Sequence, residues 1–452
     1  MAKIVYYRIR KKEQAMKRPI TLIIFIFSTI LASWGQSGFY HVEGIPSRFS
    51  IVREYLQNQA IAYSQDPTTS GFCLLDFGPM AATYAELPSG LVVNDFEILG
   101  NVVYFCGTYS GIPYLGHFKI AGLFGGVDDY YLHRLMIRAP GYAIVNPEKL
   151  AVYSVGSEYH AVMVGAGRQL FPTGDVDERF VMDVYHDPNL PTQLTGLAVF
   201  NDSDPEYFYD IAATDNYVVS IAGKEDGNAH YMRAFDKPTV AGGSIFGSST
   251  GDVYYYSQGD YFPVSKFLIC PMSGDDFATV CYSENNSLFG AAISMFHAPL
   301  ALQNRVILDQ GTAATAGCDI KEMAFNPQNS TFSLLQSMVY PISANGASAI
   351  CQLDAANNAS ANYITPQKFH SVCPWANDGS VLASGTNPAG LLSLFRHNPT
   401  ARTCHTETPL RALHLSSQDG ESKKHRSLQN AISQFLTTAP SITTHRIIID
   451  CQ

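Results

Sequence analysis

Charge, tryptophan and long apolar runs are scarce in this chain, and each scarcity removes a class of answer. Charged residues make up 15% of its 452 residues, against about 25% in an ordinary soluble domain, which counts against long charged helices and a coiled coil. None of the nine Cys lies in a Cys-x-x-Cys pair, so a zinc knuckle or thioredoxin-type site has no basis. There is no His-Glu-x-x-His and no phosphate-cradling Gly-x-x-x-x-Gly-Lys-Ser/Thr. Beyond residue 35 no apolar stretch is long enough to span a bilayer, which predicts a mature chain without a membrane span.

What is abundant points to strands. Hydrophobic residues reach 46%, with 26 Tyr, 26 Phe, 35 Gly and 24 Pro. That composition supplies a large core and many turns and excludes a disordered chain.

The N-terminus reads as an address. Lys3, Arg8, Arg10, Lys11, Lys12, Lys17 and Arg18 precede an apolar run from Ile20 to Ala32, and small residues follow at Ser33 and Gly35. A basic region, a short apolar region and small residues at the −3 and −1 positions describe a secretory signal cut before Gln36. Residues 1–35 hold seven basic residues and one acid, so their removal leaves 22 basic against 38 acidic residues and moves the formal net charge from −10 to −16. Such acidity repels phosphate backbones, and nucleic acid is excluded as an expected partner. Export permits disulfides; Cys404 with Cys451 is the best candidate pair, while Cys106, Cys270 and Cys351 sit in apolar runs that suit a buried thiol.

A diverged unit recurs along the chain. Asp95-Phe-Glu-Ile-Leu-Gly-Asn101-Val-Val-Tyr-Phe-Cys-Gly107 passes from an apolar segment through a Gly-Asn turn into a strand ending in Gly. Asp210 to Gly223, around Asn216, and His370 to Gly385, around Asp378, follow the same course. Weaker copies run from Ile144 to Gly156, with the turn placed at Glu148, and from Ile320 to Leu335, with the turn at Asn329. Asn- and Asp-rich turns between alternating runs are hairpin signals. Each hairpin leads through a polar loop to a third strand, as at Tyr114–Ile120, Ala229–Phe235 and Leu391–Phe395.

Antiparallel units of about 40–50 residues are the mark of a β-propeller, because neighbouring blades bury the faces that one small sheet cannot. The expectation is an all-β propeller of six or seven blades over residues 36–400, with residues 401–452 as a C-terminal closing segment; an array of β-sandwiches is the alternative. The signal together with the Asp95–Gly107 unit resembles exported β-propeller-like proteins of the Bacteroidetes. That resemblance is clearest over residues 94–120 and implies an exported, periplasmic, cell-surface or extracellular propeller. It carries over no catalytic residue.

Chemistry is harder to read. Asn377-Asp378-Gly379-Ser380 lacks the Ser and closing aromatic of a sialidase-type Asp-box and reads as a turn. Asp175-Val-Asp177-Glu178 and Asp202-Ser-Asp204-Pro-Glu206 supply too few oxygens for a hard cation. No metal and no cofactor is expected. His160, His186 and His230 are candidates to meet at a central face. Adjacent aromatics beside acids give the candidate ligand contacts Tyr130, Tyr131, Tyr207, Tyr209 and Tyr255, since Tyr suits stacking and hydrogen bonding to sugars or peptides. The sequence therefore favours a non-catalytic module binding a glycan, peptide or protein partner. The alternative is a propeller hydrolase or lyase acting on a polysaccharide or peptide, to be recognised by carboxylates gathered at the central face rather than Tyr.

Overall fold

A computed structural model describes residues 39–397 apart from 43–48, 66–70, 127–129, 136–141, 170–176, 188–195, 201–205, 225–229, 247–251, 256–264, 284–290, 309–317, 339–346, 355–359, 366–367, 376–379 and 387–391. The signal segment, the Cys404 and Cys451 pair and the C-terminal closing segment lie outside the described residues.

The chain begins with a short strand, β1 (Phe39–His41), and then builds blades in order. Blade 1 is β2 (Ile51–Leu56), β3 (Gln59–Ser64), β4 (Gly71–Asp76) and β5 (Ala81–Glu86). Blade 2 is β6 (Leu91–Leu99), β7 (Val102–Tyr109), β8 (Ile112–Lys119) and β9 (Tyr130–Arg134), with a one-turn helix, α1 (Ile120–Phe124), before its last strand. Blade 3 is β10 (Tyr142–Val155), β11 (Glu158–Gln169), β12 (Asp177–His186) and β13 (Gly196–Phe200). Blade 4 is β14 (Glu206–Ala213), β15 (Tyr217–Lys224), β16 (His230–Asp236) and β17 (Asp252–Tyr255). Blade 5 is β18 (Ser265–Pro271), β19 (Asp276–Ser283), β20 (Ala291–His297) and β21 (Ala301–Leu308). Blade 6 is β22 (Cys318–Asn326), β23 (Thr331–Met338), β24 (Ala347–Asp354) and β25 (Ser360–Thr365). Blade 7 takes β26 (Lys368–Trp375), β27 (Ser380–Thr386) and β28 (Leu392–His397) from the end of the propeller and β1 from its start.

The seven four-stranded antiparallel sheets make a seven-bladed propeller. Each first strand packs against the first strands of both neighbouring blades, and β2 meets β26, so the ring is complete. Pairing of β1 with β28 ties the two ends of the ring together, and Val42 N donates to Leu394 O at 2.9 Å to extend the pairing. Such a seam removes the open sheet edges that would otherwise be left at the join.

Burial on both faces explains the strand sequences. In β7, Val103 and Phe105 enter the core shared with blade 1, while Val102, Tyr104 and Cys106 enter the core shared with blade 3. A strand covered on both sides is apolar at every position instead of alternating. Seven such cores fill the seven gaps between blades. Between blades 1 and 2 the ring of Phe72 lies 4.9–5.4 Å from those of Tyr63, Phe96, Phe105 and Phe118, and aromatic pairs of this kind each add about 0.5–1.5 kcal/mol beyond area burial. Cys73, Cys106, Cys270 and Cys373 are buried and free, filling space as small apolar groups.

The three clearest sequence units occupy blades 2, 4 and 7. Two of their glycines are equivalent: Gly107 faces Val93 and Gly385 faces Phe369, each just before the partner strand bulges, whereas in blade 4 Ala222 takes that place opposite Phe208 and Gly223 lies one residue further on, opposite Tyr207. A Cβ at Gly107 would stand 1.9 Å from Val92 O, so no larger residue fits beneath the bulge.

The weaker unit at 144–156 differs from expectation. Glu148 is no turn: β10 runs unbroken past it, and the hairpin turns at Gly156-Ser157. Asn146-Pro147 reads as a turn in sequence because Pro cannot donate to a ladder. Here the register slips on both sides of this pair, between Ile144 and Asn146 and between Pro147 and Lys149, so the missing N–H falls in a bulge. Asn329 does lie in the β22–β23 turn, whereas Asp378 lies outside the described residues.

Candidate functional site

The bulges of the first strands also create the site. In β6, β10, β14, β22 and β26 the register slips immediately before Asp95, Lys149, Asp210, Glu322 and Ser371. Side chains reach across the blade gaps to backbone N–H groups, at Leu150 and Val372 one residue after such a position and at Ile269 and Val52 where the ladder shows no slip beside them. Asp95 Oδ2 accepts from Leu150 N at 3.2 Å, Asp210 Oδ2 from Ile269 N at 2.9 Å, Glu322 Oε2 from Val372 N at 2.6 Å and Ser371 Oγ from Val52 N at 3.3 Å. Asp95 and Asp210 also accept from the N–H of their own next residues, Phe96 and Ile211. These polar side chains therefore lock blade to blade around the axis, because a buried N–H without a partner is costly.

Arg53, on β2, is the cation of this ring. Its Nη2 lies 3.0 Å from Asp95 Oδ1, its Nη1 2.8 Å from Glu322 Oε1, and its Nε 3.7 Å from Glu97 Oε1. Nη1 also donates to Val52 O and Ser371 Oγ. Burial opposes the charge, but Glu322, Asp95 and Glu97 outweigh it and hold the guanidinium protonated well above its usual range.

These groups wall an axial cavity of about 350 Å³ to which all seven first strands contribute. Its charged walls are Arg53, Lys149 and Lys321 against Asp95, Glu97, Asp210 and Glu322. Asp95, ahead of Asp210 and against the opposing effect of burial, raises the Lys149 ammonium above its usual range. Burial lifts the Asp210 carboxyl to about 6 despite Lys149 and two N–H donors. Burial likewise lifts Glu97 to about 7, with Arg53 pulling the other way and Asp95 and Glu322 adding to the rise. Glu97 is the most open of the acids that Arg53 touches, with 39% of its side chain exposed. Cys270 lines the same cavity, but burial pushes its thiol up to about 12, so no thiolate nucleophile is available there at neutral pH. Glu97 and Asp210, both raised from the ordinary carboxylate range, thus share one chamber.

The sequence-predicted residues lie elsewhere. Tyr130 packs partly buried against the core between blades 1 and 2. Tyr131 stacks on His117 with centroids 5.2 Å apart. Tyr209 packs in the core between blades 4 and 5, its ring 6.4 Å from that of His230. None of these three is among the described residues that line the cavity. Tyr207 and Tyr255 fall on β14 and β17, and their side chains lie outside the described residues. The three His do not converge on the axis either. His160 is held between Tyr153 and Tyr185 with its Nδ1 3.0 Å from Asp183 Oδ1. His186 lies between blades 2 and 3, its Nε2 2.7 Å from Tyr104 Oη, and His230 lies against Phe267. Among the described residues no group of three or more His, Cys, Asp or Glu is placed to hold a metal ion, and no helix is long and apolar enough to cross a membrane. The Asp175 and Asp202 acidic clusters lie mainly outside the described residues.

The charged residues of the cavity wall that the sequence reading did not single out are Arg53, Glu97, Lys149, Lys321 and Glu322. A signal existed for part of the set: Asp95 and Asp210 open two copies of the repeat, so a polar residue at that position was already visible twice. Gly247-Ser-Ser-Thr-Gly251 fits the Gly-x-Ser-x-Gly spelling of a nucleophile elbow, but in sequence it falls between strands β16 and β17, where the elbow requires a strand and then a helix. Its residues lie outside the described ones.

No family model matches the chain, and no curated protein matches it in sequence. Solved structures do. Oligogalacturonate lyase from Vibrio parahaemolyticus is similar over 79% of this chain and 92% of its own, at 10% identity and a TM-score of 0.48. A puromycin hydrolase mutant complexed with PGG is similar over 78% of this chain at 10% identity and a TM-score of 0.47; the chain spans only 52% of that protein. The Dos1 propeller is similar over 79% of this chain and 94% of its own, at 10% identity and a TM-score of 0.42. At these values the likeness is one of architecture, and no residue is transferred. The expectation of a non-catalytic module with a recognition face of Tyr is corrected by the geometry of the axial chamber, whose described walls present carboxylates and cations instead. What the chain adopts is a seven-bladed propeller with a charged axial chamber.

Proposed function

We propose that the protein is an exported propeller-fold hydrolase that cleaves a glycosidic bond of a polysaccharide in its axial chamber. The observation that carries this reading is the pair Glu97 and Asp210, raised to about 7 and about 6 in a single cavity. Glycosidic hydrolysis needs one carboxyl that is still protonated and one that is ionised. Glu97, the more open, donates its proton to the departing glycosidic oxygen. Asp210, the first to ionise, supplies the negative charge that activates water or meets the sugar carbon. Arg53 is held between Asp95 and Glu322, whose carboxylates also hold backbone N–H groups of the neighbouring blades. The cavity volume suits one or two sugar rings, since small-molecule sites begin at about 300 Å³. The basic, apolar and small-residue pattern of residues 1–35 supports export, and an exported hydrolase meets extracellular polysaccharide.

Elimination by a lyase is the second reading. It needs a cation to neutralise a substrate carboxylate; Arg53 is already engaged by three acids, which leaves that task to Lys149 or Lys321 of the same wall. Incubating the mature protein with a panel of polysaccharides and following reducing ends and unsaturated products separates the two. Reducing ends without unsaturation, lost in Glu97→Gln, are expected. Unsaturated products, or cleavage that Glu97→Gln leaves intact, would discard the hydrolase mechanism.

A further inference from the structure

We infer that Lys149 is an anion-binding subsite of the axial chamber and that the glycan taken there carries acidic sugars. The inference rests on the hydrolase reading and names its substrate class.

Lys149 occupies a place in the ring where other blades put an acceptor. It directly follows a register slip in β10, as Asp95, Asp210, Glu322 and Ser371 follow slips in their own first strands. Each of those four accepts from a backbone N–H of the next blade. An ammonium group only donates. The N–H that follows the slip in the next blade, that of Ile211, is held by Asp210 instead. Lys149 therefore takes no part in locking the blades. Among the described residues it makes no hydrogen bond and no ion pair. Its nitrogen is not sealed from solvent, and the residue lines the cavity, so its donors open into the chamber.

The acids around it cannot fill those donors. Asp95 and Asp210, whose charges act on it most, keep the ammonium protonated. Both have their oxygens committed, Asp95 to Phe96 N, Leu150 N and Arg53, and Asp210 to Ile211 N and Ile269 N. A cation drawn out of water with open donors gains from a ligand oxygen, and more from an anionic oxygen than from a hydroxyl. Arg53 is held by Glu322 and Asp95, and Lys321 is exposed with a partner of its own. Lys149 is thus the cation that an anionic group reaches.

The rest of the wall admits that group. With Glu97 protonated, as the acid of the reaction must be, Arg53, Lys149 and Lys321 stand against Asp95, Asp210 and Glu322, three charges of each sign. As pH rises through about 7, Glu97 ionises and adds a fourth negative charge, so anion binding should weaken there. As pH falls through about 6, Asp210 loses its charge, so anion binding should strengthen.

The probes are oligosaccharides containing glucuronate, the same oligosaccharides with every carboxyl reduced to an alcohol, and that reduced form carrying sulfate esters. Affinities of the full chain are measured calorimetrically at pH values of about 6 and about 8, either side of Glu97. At the lower pH an acidic form should bind about ten-fold more tightly than the neutral form, a difference of about 1.4 kcal/mol. Whichever acidic form binds better identifies the anion as carboxylate or sulfate. The advantage should shrink at the higher pH and with added salt, and in Glu97→Gln it should no longer fall between the two pH values to the same extent. Lys149→Met, which releases no hydrogen-bond partner, should abolish it, and Lys149→Arg should keep it. Equal affinity of the parent chain for neutral and acidic forms overturns the inference whatever the variants do, as does failure of all forms to bind or an advantage that survives in Lys149→Met. The two readings fail separately. Cleavage of neutral glycans without acid preference sinks the subsite and leaves the hydrolase. Acid-selective binding that needs Lys149, with no cleavage of any glycan, sinks the hydrolase and leaves the subsite.

Discussion

The axis and the gap between blades 2 and 3 both bury titratable side chains, and they treat them in opposite ways. At the axis Arg53 is paired with Asp95 and Glu322, and both acids also accept from backbone N–H groups. In the gap, His117 has ring contacts with His133 at 5.1 Å and His186 at 4.5 Å, and with Tyr104 at 5.6 Å. Neither of its ring nitrogens has a hydrogen-bond partner among the described residues. Burial, then His186, His133 and Lys119, push its pKa down to about 2, so it is neutral. Burial is thus not what makes a group functional. The axis sets opposite charges and backbone N–H groups side by side, whereas in the gap the ring nitrogens of His117 have no hydrogen-bond partner among the described residues.

The sharpest way to break this comparison is to empty the axis of its cation. Arg53→Met leaves Asp95 and Glu322 buried without their partner, and breaking such a pair costs about 3–5 kcal/mol. A matching fall in the denaturation midpoint is expected; an unchanged midpoint would show that the ring of charge does not hold the blades.

Activity comes next. If Asp210 must be ionised and Glu97 protonated, the rate should rise as pH passes about 6 and fall as it passes about 7, giving a narrow bell. In Glu97→Gln the rate should fall about 100-fold or more, with the folded state little affected. A rate that stays flat between pH 5 and 9 (limits that stand about a unit or more outside both groups) would remove this acid–base pair.

Gly107→Ala tests the bulge that positions Asp95. The added Cβ would stand 1.9 Å from Val92 O, and relieving it should cost about 1–3 kcal/mol by overpacking. Because the displaced strand carries Asp95 and Glu97, the rate should drop beyond what the stability change accounts for. Gly100→Ala, in an open turn with φ of +60°, is the control: its strain is local to the turn, about 1 kcal/mol, and should leave the rate alone.

The smallest effect belongs to the gap. His117 has a folded-state pKa below its unfolded value of 6.5, so its contribution is fully present above 6.5 and is lost as pH falls from there toward 2. Replacing it with an apolar residue, His117→Leu, should change stability at pH 7.5 (a value about a unit above the ordinary His range) by about 1 kcal/mol or less. It should also make the acid-side decline less steep. A decline as steep as in the parent chain would assign the acid sensitivity to the axis.

Much of the fold was written locally. The Gly100-Asn101 turn between Leu99 and Val102, and the apolar run of β7, specify a hairpin whose two faces must both be covered. The same reasoning failed at Asn146-Pro147-Glu148, because Pro marks a place without a donor and cannot tell a turn from a bulge. The Tyr beside acids misled for a related reason. Tyr131 is amphipathic, and whether its ring faces a ligand or His117 is set by the neighbouring blade.

The sequence by itself determined the unit: strand, turn and strand, apolar on both sides, with a glycine beneath the bulge and in two copies an Asp after it. Those features follow from local backbone sterics and the pleat, which act over a few residues. Only the tertiary structure decided that Arg53 meets Glu322, 269 positions away, that Ser371 takes the N–H of Val52 across the seam, and that Glu97 and Asp210 line one chamber. Ring closure brings together seven first strands from the whole length of the chain. The charges that result depend on that meeting, because a carboxyl's affinity for its proton is set by what surrounds it in space.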